Sequence, residues 1–521
     1  MQGGEGEVME QNKGMSFVIL AMALGLFMAS LDNTIVSASI NQVIKDIGGF
    51  DKMSWIFTAY MLAATSTMLV FGKMSDLFGR KLFYLIGISL FLIGSALSGT
   101  AQTIDQLIVY RVIQGIGSGA IFPISFTIIY SISTDPKQAA KMSGVFAGIF
   151  GISSVFGPQI GTWISETSWL GWRWCFYVNV PFGMLSIITL FFALKESKSD
   201  QKPKVDYLGT VLLISSTVLL LLGLEWGGKD YAWDSVQIIG MFSGAALLIV
   251  LFLLVERKAK EPILPLSIFK NKMVLGTSIV VFCQGAIMFS AITYLPILSV
   301  AVIGNENSNS VLTPMMLPIM IGAIAGGFLC TKISFRTIMA FSMAVGILVA
   351  YLLGSITHET AKWMVTLIMI TLGLIVLGPL MSVSQNAVAQ SVEKRYIGIA
   401  SSVVGFWRNI GGVMGAAITA TIVNNDLKEK MTEFASASKM PADKVQEIAK
   451  PEILMQDHAQ IPAQVVDFMR GAVETALHHG FILALIAGII GFLVSLFVGG
   501  DRYKFGNRGV KEAGKEELPA S

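Results

Sequence analysis

Apolar runs about the length of a membrane crossing, separated by polar loops, recur along the whole chain. A spanning helix needs about 20 mostly apolar residues. By that rule the pattern predicts helices near 17–40, 55–72, 82–101, 105–129, 141–163, 174–194, 207–226, 237–256, 273–299, 311–331, 336–355, 363–388, 398–423 and 477–499. These are fourteen spans, and an even number puts both termini on one side. No cleavage pattern follows the first run, which therefore reads as a retained span. The fold class this implies is an all-α polytopic membrane protein.

A sequence echo divides the chain. Gly72-Lys-Met-Ser-Asp-Leu-Phe-Gly-Arg-Lys81 links spans 2 and 3, and a worn counterpart, Gly327-Phe-Leu-Cys-Thr-Lys-Ile-Ser-Phe-Arg336, links spans 10 and 11. Two six-helix halves separated by an inserted pair of helices would place the echo there, and repeated halves with the binding site between them are the usual build of secondary transporters. The expected organisation is a tail at 1–16, a first half at 17–200, the inserted pair at 201–260, a second half at 261–500 and a tail at 501–521. Within the second half, 425–476 is polar and expected outside the cell. Leu427, Met431 and Phe434 recur there at helical spacing, and Pro441, Pro451 and Pro462 interrupt it. A partly helical solvated loop is the first expectation, a lid or docking hairpin the second.

Composition agrees with this class. Hydrophobic residues make up 54% of the chain and charged residues 14%, against about 25% charged in a soluble domain. A net charge of +3 gives no reason to expect nucleic acid. Its distribution is more informative. Of the 37 Lys and Arg, 24 fall in one set of loops and tails and five in the opposite short loops; six lie in 425–476 and two, Arg111 and Arg408, inside spans. Positive charge is retained on the cytoplasmic side, so both termini are expected there. Cys175, Cys283 and Cys330 are widely spaced and read as packing residues. The pair His478-His479 reads as interfacial.

Four features carry candidate chemistry. Asp32 lies in the first apolar run, where a carboxylate costs several kcal/mol and marks a functional site by default. It sits roughly 12 Å below the outer end of its span, and Arg111 roughly 9 Å below the outer end of span 4, at 1.5 Å per residue. Burial opposes the charge of a carboxylate and a nearby arginine favours it, and a group held between the two can exchange a proton. A static ion pair that only fixes packing is the alternative. The Gly72–Lys81 turn is dense in charge: Gly72 and Gly79 permit tight turns, Asp76 suits a helix N-terminus, and Arg80 and Lys81 suit acids or helix C-termini. Such contacts can form in one state and break in another. In span 5, Gly144, Ser153, Gly157, Pro158 and Gly161 combine a proline kink with small residues that allow close helix approach. In span 13, Arg408 and Asn409 precede Gly411, Gly412 and Gly415, and no acid in that span can pair with Arg408. With Gln114 of span 4, Arg408 and Asn409 are candidates for the substrate cavity or gate; a snorkelling or backbone-bound arginine is the alternative. The 27 methionines suit an adaptable apolar surface.

These residues resemble a known family. Gly72–Lys81 is similar to the loop signature between helices 2 and 3 of the major facilitator superfamily. Leu31-Asp-Asn-Thr-Ile-Val36, Arg111-x-x-Gln-Gly115 and Gly157-Pro158 resemble further motifs of its drug:proton antiporters. Trp172-Arg-Trp-Cys-Phe-Tyr-Val-Asn-Val-Pro-Phe-Gly183 is similar to the stretch before helix 6 in the fourteen-span, multidrug-exporting branch. The resemblance runs from about Phe17 to Gly499. It implies that Asp32 is the protonatable acid, that Arg111 serves proton coupling, that Asp76 and Arg80 hold a cytoplasmic gate, and that Gly157-Pro158 is the antiporter motif. Ser153 and Thr162 depart from it by replacing glycines, which weakens the case for tight packing in span 5. Additional membrane acids found in some relatives are missing from spans 2, 10 and 13, which leaves Asp32 to serve both proton and drug.

The implied function is proton-coupled export of amphipathic, cationic or lipophilic drugs across the cell membrane by alternating access. Protons, lipophilic small molecules and the bilayer are the expected partners, a monomer the expected state, and the proton gradient rather than a cofactor the expected drive. An exporter of one metabolite, amino acid, siderophore or lipid is the alternative. The loops lack the clustered His, Asp, Ser or Cys of a membrane enzyme, and no Walker motif points to ATP.

Overall fold

The structure, a computed structural model, describes residues 2–133, 135–167, 169–194, 204–304, 309–438 and 463–499. Among the described residues the apolar runs fold as fourteen long helices. They are α1 (Gln2–Ile47), α2 (Trp55–Phe78), α3 (Arg80–Thr100), α4 (Ile104–Ile132), α5 (Pro136–Glu166), α6 (Asn179–Ala193), α7 (Tyr207–Trp226), α8 (Val236–Glu256), α9 (Lys272–Ile297), α10 (Asn309–Leu329), α11 (Phe335–Leu353), α12 (Lys362–Ser391), α13 (Ile397–Ser438) and α14 (Ala463–Phe497). A short helical turn, Trp174–Tyr177, leads into α6, and a π-helical turn, Leu372–Leu377, interrupts α12. Among the described residues there is no β-strand, only an isolated bridge between Gly227 and Tyr231.

Thirteen of the fourteen are long and apolar enough to cross a membrane. The other, α13, is long enough but is made less apolar by Arg408, Asn409 and its Gly and Ser residues. Several helix starts follow from polar residues that satisfy a free backbone N–H: Thr103 accepts from Gln106, Asp135 from Lys137, Asp206 from Gly209 and Asn271 from Met273.

In the first half, α1 packs on α5 and α6, and α4 on α2 and α3; in the second, α9 packs on α13 and α14, α10 on α12, and α11 on α14. The halves meet along α5 with α10 and α2 with α13. The inserted helices α7 and α8 pack on each other, and α7 lies over the α2–α13 seam. Trp55 meets Trp226 edge-on at 5.6 Å, Thr58 donates to Glu225 at 3.2 Å, and Trp233 donates to Thr421 at 2.9 Å.

The echoed loops share a structural role. Gly79 turns the chain between α2 and α3 with φ 110°, a left-handed value suited to glycine. Gly72, expected in a turn, is instead helical and serves close approach: a Cβ there would come within 2.8 Å of the Gly398 carbonyl of α13. Its counterpart Gly327 in α10 does the same, since a Cβ would come within 2.7 Å of the Ala140 carbonyl of α5. Each echo therefore seats one half against the other.

Two predicted boundaries change. α1 is helical from Gln2, through the expected tail, and continues to Ile47. The segment 425–476 is helical at both flanks, because α13 runs on to Ser438 and α14 begins at Ala463. These extensions pack rather than float: Leu427, Met431, Met469 and Val473 are buried, and Phe434 stacks on Phe468 at 4.3 Å. His479 meets Asp426 and His478 meets the Ile356 carbonyl. Residues 439–462, with the three prolines of this stretch, lie outside the described residues.

Candidate functional site

Asp32 is 0% exposed, and so is Arg111, with which it forms an ion pair. The spacing Arg111-x-x-Gln114 puts both side chains on one face of α4. Arg111 bonds Asp32 Oδ2, Gln114 Nε2 donates to Asp32 Oδ1 at 2.7 Å, and Arg111 donates to Gln114 Oε1 at 2.8 Å. The third donor comes from α6, where Asn179 Nδ2 reaches Asp32 Oδ1 at 2.9 Å and Ser95 Oγ at 3.0 Å. Arg111 also donates to the Ile56 carbonyl at 3.2 Å and lies 4.1 Å from the centre of the Tyr60 ring. The carboxylate thus accepts from three donors on two helices, the arrangement of a deprotonated acid. Charge-assisted bonds of this kind are about twice as strong as neutral ones.

A cavity of about 500 Å³ lies beside this cluster, between the halves, and takes its wall from α1, α2, α4, α5, α9, α10, α12 and α13. Met61, Met68, Met288, Met316 and Met381 face it, as the methionine content led one to expect, together with Phe57, Phe122, Phe150 and Phe289. Its polar lining includes Ser30, Asn33, Thr34, Gln159, Arg408 and Asn409. Asp32 and Gln114 do not line it. Both belong to the buried ion-pair cluster, while Asn33, next to Asp32 in the chain, and Tyr60 reach the cavity wall. Tyr60 touches both regions: its ring covers Arg111, its hydroxyl donates to Ser118 at 2.7 Å, and it lines the cavity.

Arg408 and Asn409 both reach the cavity wall, and Asn409 also donates to Thr65 of α2 at 3.0 Å, across the halves. Arg408 is 5% exposed, and its Nε and Nη2 have no hydrogen-bond partner. It is neither snorkelling to an interface nor bound to backbone through those atoms. A buried guanidinium without acceptors is costly, and such a group calls for an explanation.

Gly157 and Pro158 sit where α5 crosses α1. A Cβ on Gly157 would overlap Thr34, and Pro158 lines the cavity. Ser153, which departs from the glycine pattern, does not loosen this contact: its hydroxyl donates to the Phe27 carbonyl of α1 at 3.3 Å, and Thr34 donates back to the Ser153 carbonyl at 3.2 Å.

At the end of the bundle bearing the Gly72–Lys81 turn, polar contacts cross between the halves. Asp76 accepts from the backbone N–H groups of Gly398 and Ile399 at the start of α13, both at 2.9 Å, as an acid at a helix N-terminus should. Arg80 lies 3.9 Å from Asp76 and donates to the Lys394 carbonyl at 3.0 Å. Lys81 donates to the Phe191 and Leu194 carbonyls at the end of α6, each at 2.7 Å. Lys73 of the same turn is buried and paired with Glu261 at 3.2 Å. Tyr130 and Ser143 of the first half bond Asn386 of α12 at 2.8 and 2.6 Å.

Asn179 and Tyr60 were not singled out from sequence. Asn179 stood inside the Trp172–Gly183 stretch, and a lone amide in an apolar run is the signal that could have marked it. Tyr60 carries no such signal, since an aromatic residue in a span is ordinary.

Two six-helix halves enclosing a central cavity, with a buried ion pair beside it, define a membrane transporter. A family model of the Major Facilitator Superfamily matches residues 22–416, and the chain belongs to that superfamily. It is 39% identical over 494 residues to multidrug resistance protein 3 of Bacillus subtilis (strain 168), covering 94% of this chain and 96% of the relative. It is 34% identical over 527 residues to the multidrug transporter protein MdtP of the same organism, covering 97% and 96%. The fold is also that of the proton:xylose symporter XylE, with a TM-score of 0.58 at 13% identity over 94% of this chain and 95% of that one. The protein is a multi-pass protein of the cell membrane.

Proposed function

We propose that this protein exports lipophilic, amphipathic drugs in exchange for protons, by alternating access. Full-length kinship to two multidrug transporters supports drug export. The observation that carries the coupling is the buried Asp32 carboxylate, held by Arg111, Gln114 and Asn179 one residue away from the cavity-lining Asn33.

The charge count assigns the Gly72–Lys81 end to the cytoplasm. The Asp76, Arg80 and Asn386 contacts then shut the cytoplasmic side and leave substrate release to the opposite face. A proton from outside neutralises Asp32 and removes the charge that draws Arg111, Gln114 and Asn179 together. Arg111 is then free to shift, and Tyr60, stacked on it, transmits that shift to the cavity wall. As the halves rock, the cytoplasmic contacts open, the proton leaves inward and the next drug enters. The gradient supplies the drive, aided by about 2.3 kcal/mol per charge per 100 mV of membrane potential, and the scheme needs no cofactor.

Replacing Asp32 by Asn keeps the shape and removes the exchangeable proton. Asp32→Asn cells are expected to insert the protein at normal levels yet lose proton-coupled efflux. Normal efflux in these cells would refute the coupling role of Asp32.

A further inference from the structure

Much of the cavity's polar lining stands on two helices of the first half: Ser30, Asn33, Thr34 and Ser37 on α1, and Ser154 and Gln159 on α5. Several of these groups are already committed. The hydroxyls of Thr34, Ser37 and Ser154 donate to the Leu31, Thr34 and Phe150 carbonyls at 3.0, 2.7 and 2.8 Å, as hydroxyls on helices commonly do. Two amides remain available. Asn33 and Gln159 are both exposed and both line the cavity. Among the described residues the Gln159 amide has no hydrogen-bond partner. Asn33 meets the Tyr60 hydroxyl, which itself donates to Ser118; this leaves the Asn33 carbonyl oxygen and one N–H open. Gly157 packs on Thr34 and Gly161 on Ala38, so α1 and α5 run side by side here. Gln159 therefore stands about 4.5 Å along the axis beyond Asn33, at 1.5 Å per residue.

An amide offers donors and an acceptor together, so this pair can take a carbonyl, an amide or a hydroxyl. Charge is served less well. Among the described lining residues there is no Asp or Glu, and the one charged residue, Arg408, has its Nε and Nη2 atoms sealed. A cationic group would give up its water here without gaining a counter-ion, which is costly.

We infer that Asn33 and Gln159 are specificity-determining residues that bind an uncharged hydrogen-bonding group of the drug, while its apolar body lies against Met288, Phe289 and Met316 of α9 and α10. This rests on the export reading above and names the substrate class for the same cavity: amphipathic compounds with a neutral carbonyl, amide or hydroxyl. It replaces the expectation of cationic drugs, which relied on a membrane acid facing the drug.

Nile red and Nile blue share a benzophenoxazine ring, but the first carries a neutral carbonyl where the second carries a cationic iminium. Binding of each is measured by tryptophan quenching on the purified full-length protein, and transport of each in proteoliposomes with an imposed proton gradient. Each variant is compared with wild type dye by dye, so partition into detergent cancels. Asn33→Leu and Gln159→Leu are each expected to weaken Nile red binding about fivefold or more, the effect of losing one hydrogen bond, and to leave Nile blue binding unchanged. Gln159→Glu keeps the shape and adds the missing counter-ion, so it should weaken Nile red and tighten Nile blue. If the leucine variants do not fold, Gln159→Glu decides alone. Unchanged Nile red affinity in either leucine variant would overturn the inference. So would an equal loss for both dyes, which is what cation binding by the cavity's aromatic rings predicts. A Gln159→Glu protein that binds Nile blue no better than wild type, or binding of neither dye, would overturn it as well. Nile red binding that responds to these variants without transport of either dye would leave the amide site standing and count instead against export.

Discussion

Truncating Arg111 to Met leaves the Asp32 carboxylate with only Gln114 and Asn179 as donors. Removing one partner of a buried ion pair costs about 3–5 kcal/mol. The purified Arg111→Met protein should therefore melt well below wild type, and adding Asp32→Asn should recover part of the loss by removing the stranded charge. An Arg111→Met protein as stable as wild type would mean that the pair does not hold α1 to α4. Asp32 and Arg111 were legible in the sequence because charges inside apolar runs are rare and costly. Their pairing was suggested by similar depth alone, and the contact itself needs the fold. Gln114 was marked by its motif but assigned to the cavity, because its spacing from Arg111 fixes a shared face and not which way that face turns. Asn179 lies 147 residues from Asp32 and is neutral, so neither distance along the chain nor charge pointed to it.

Among the elements, the α2–α13 contact depends on Gly72 and on Asp76 at the start of α13. A Gly72→Val side chain would run into the Gly398 carbonyl and Ser402, and Asp76→Asn would weaken two charge-assisted bonds, each worth about 1.5–3 kcal/mol. Both variants should shift the protein toward a state open at this end. Spin labels on the two halves there should report longer distances than in wild type by double electron–electron resonance. Unchanged distances in both variants would show that this contact does not gate the cytoplasmic side. The spanning helices could be read from length and hydropathy, and most came within a few residues of their predicted limits. The ends of α13 and α14 could not, because their polar surface resembles a solvated loop. Only the buried stripe of Leu427 and Met431, with Phe434 set against Phe468, shows that they pack. The role of Gly72 was also hidden, since one glycine serves a turn or a close approach equally well.

For the whole molecule, the balance of Lys and Arg between loops gave the topology expectation, and the echoed signature gave the two halves. The cavity was not legible, because eight helices each contribute a few residues to its wall. The uncompensated charge of Arg408 could be suspected from its span, but only the three-dimensional arrangement shows that, among the described residues, no neighbouring helix pairs an acid with it. If the halves rock around that cavity at the expense of a proton gradient, transport must vanish with the gradient. The most direct test is dye efflux from purified transporter in proteoliposomes, with the pH gradient imposed and then collapsed by an uncoupler. The account predicts efflux that follows the gradient, stops on its collapse and is absent in Asp32→Asn. Efflux that continued after collapse at the same rate would contradict it.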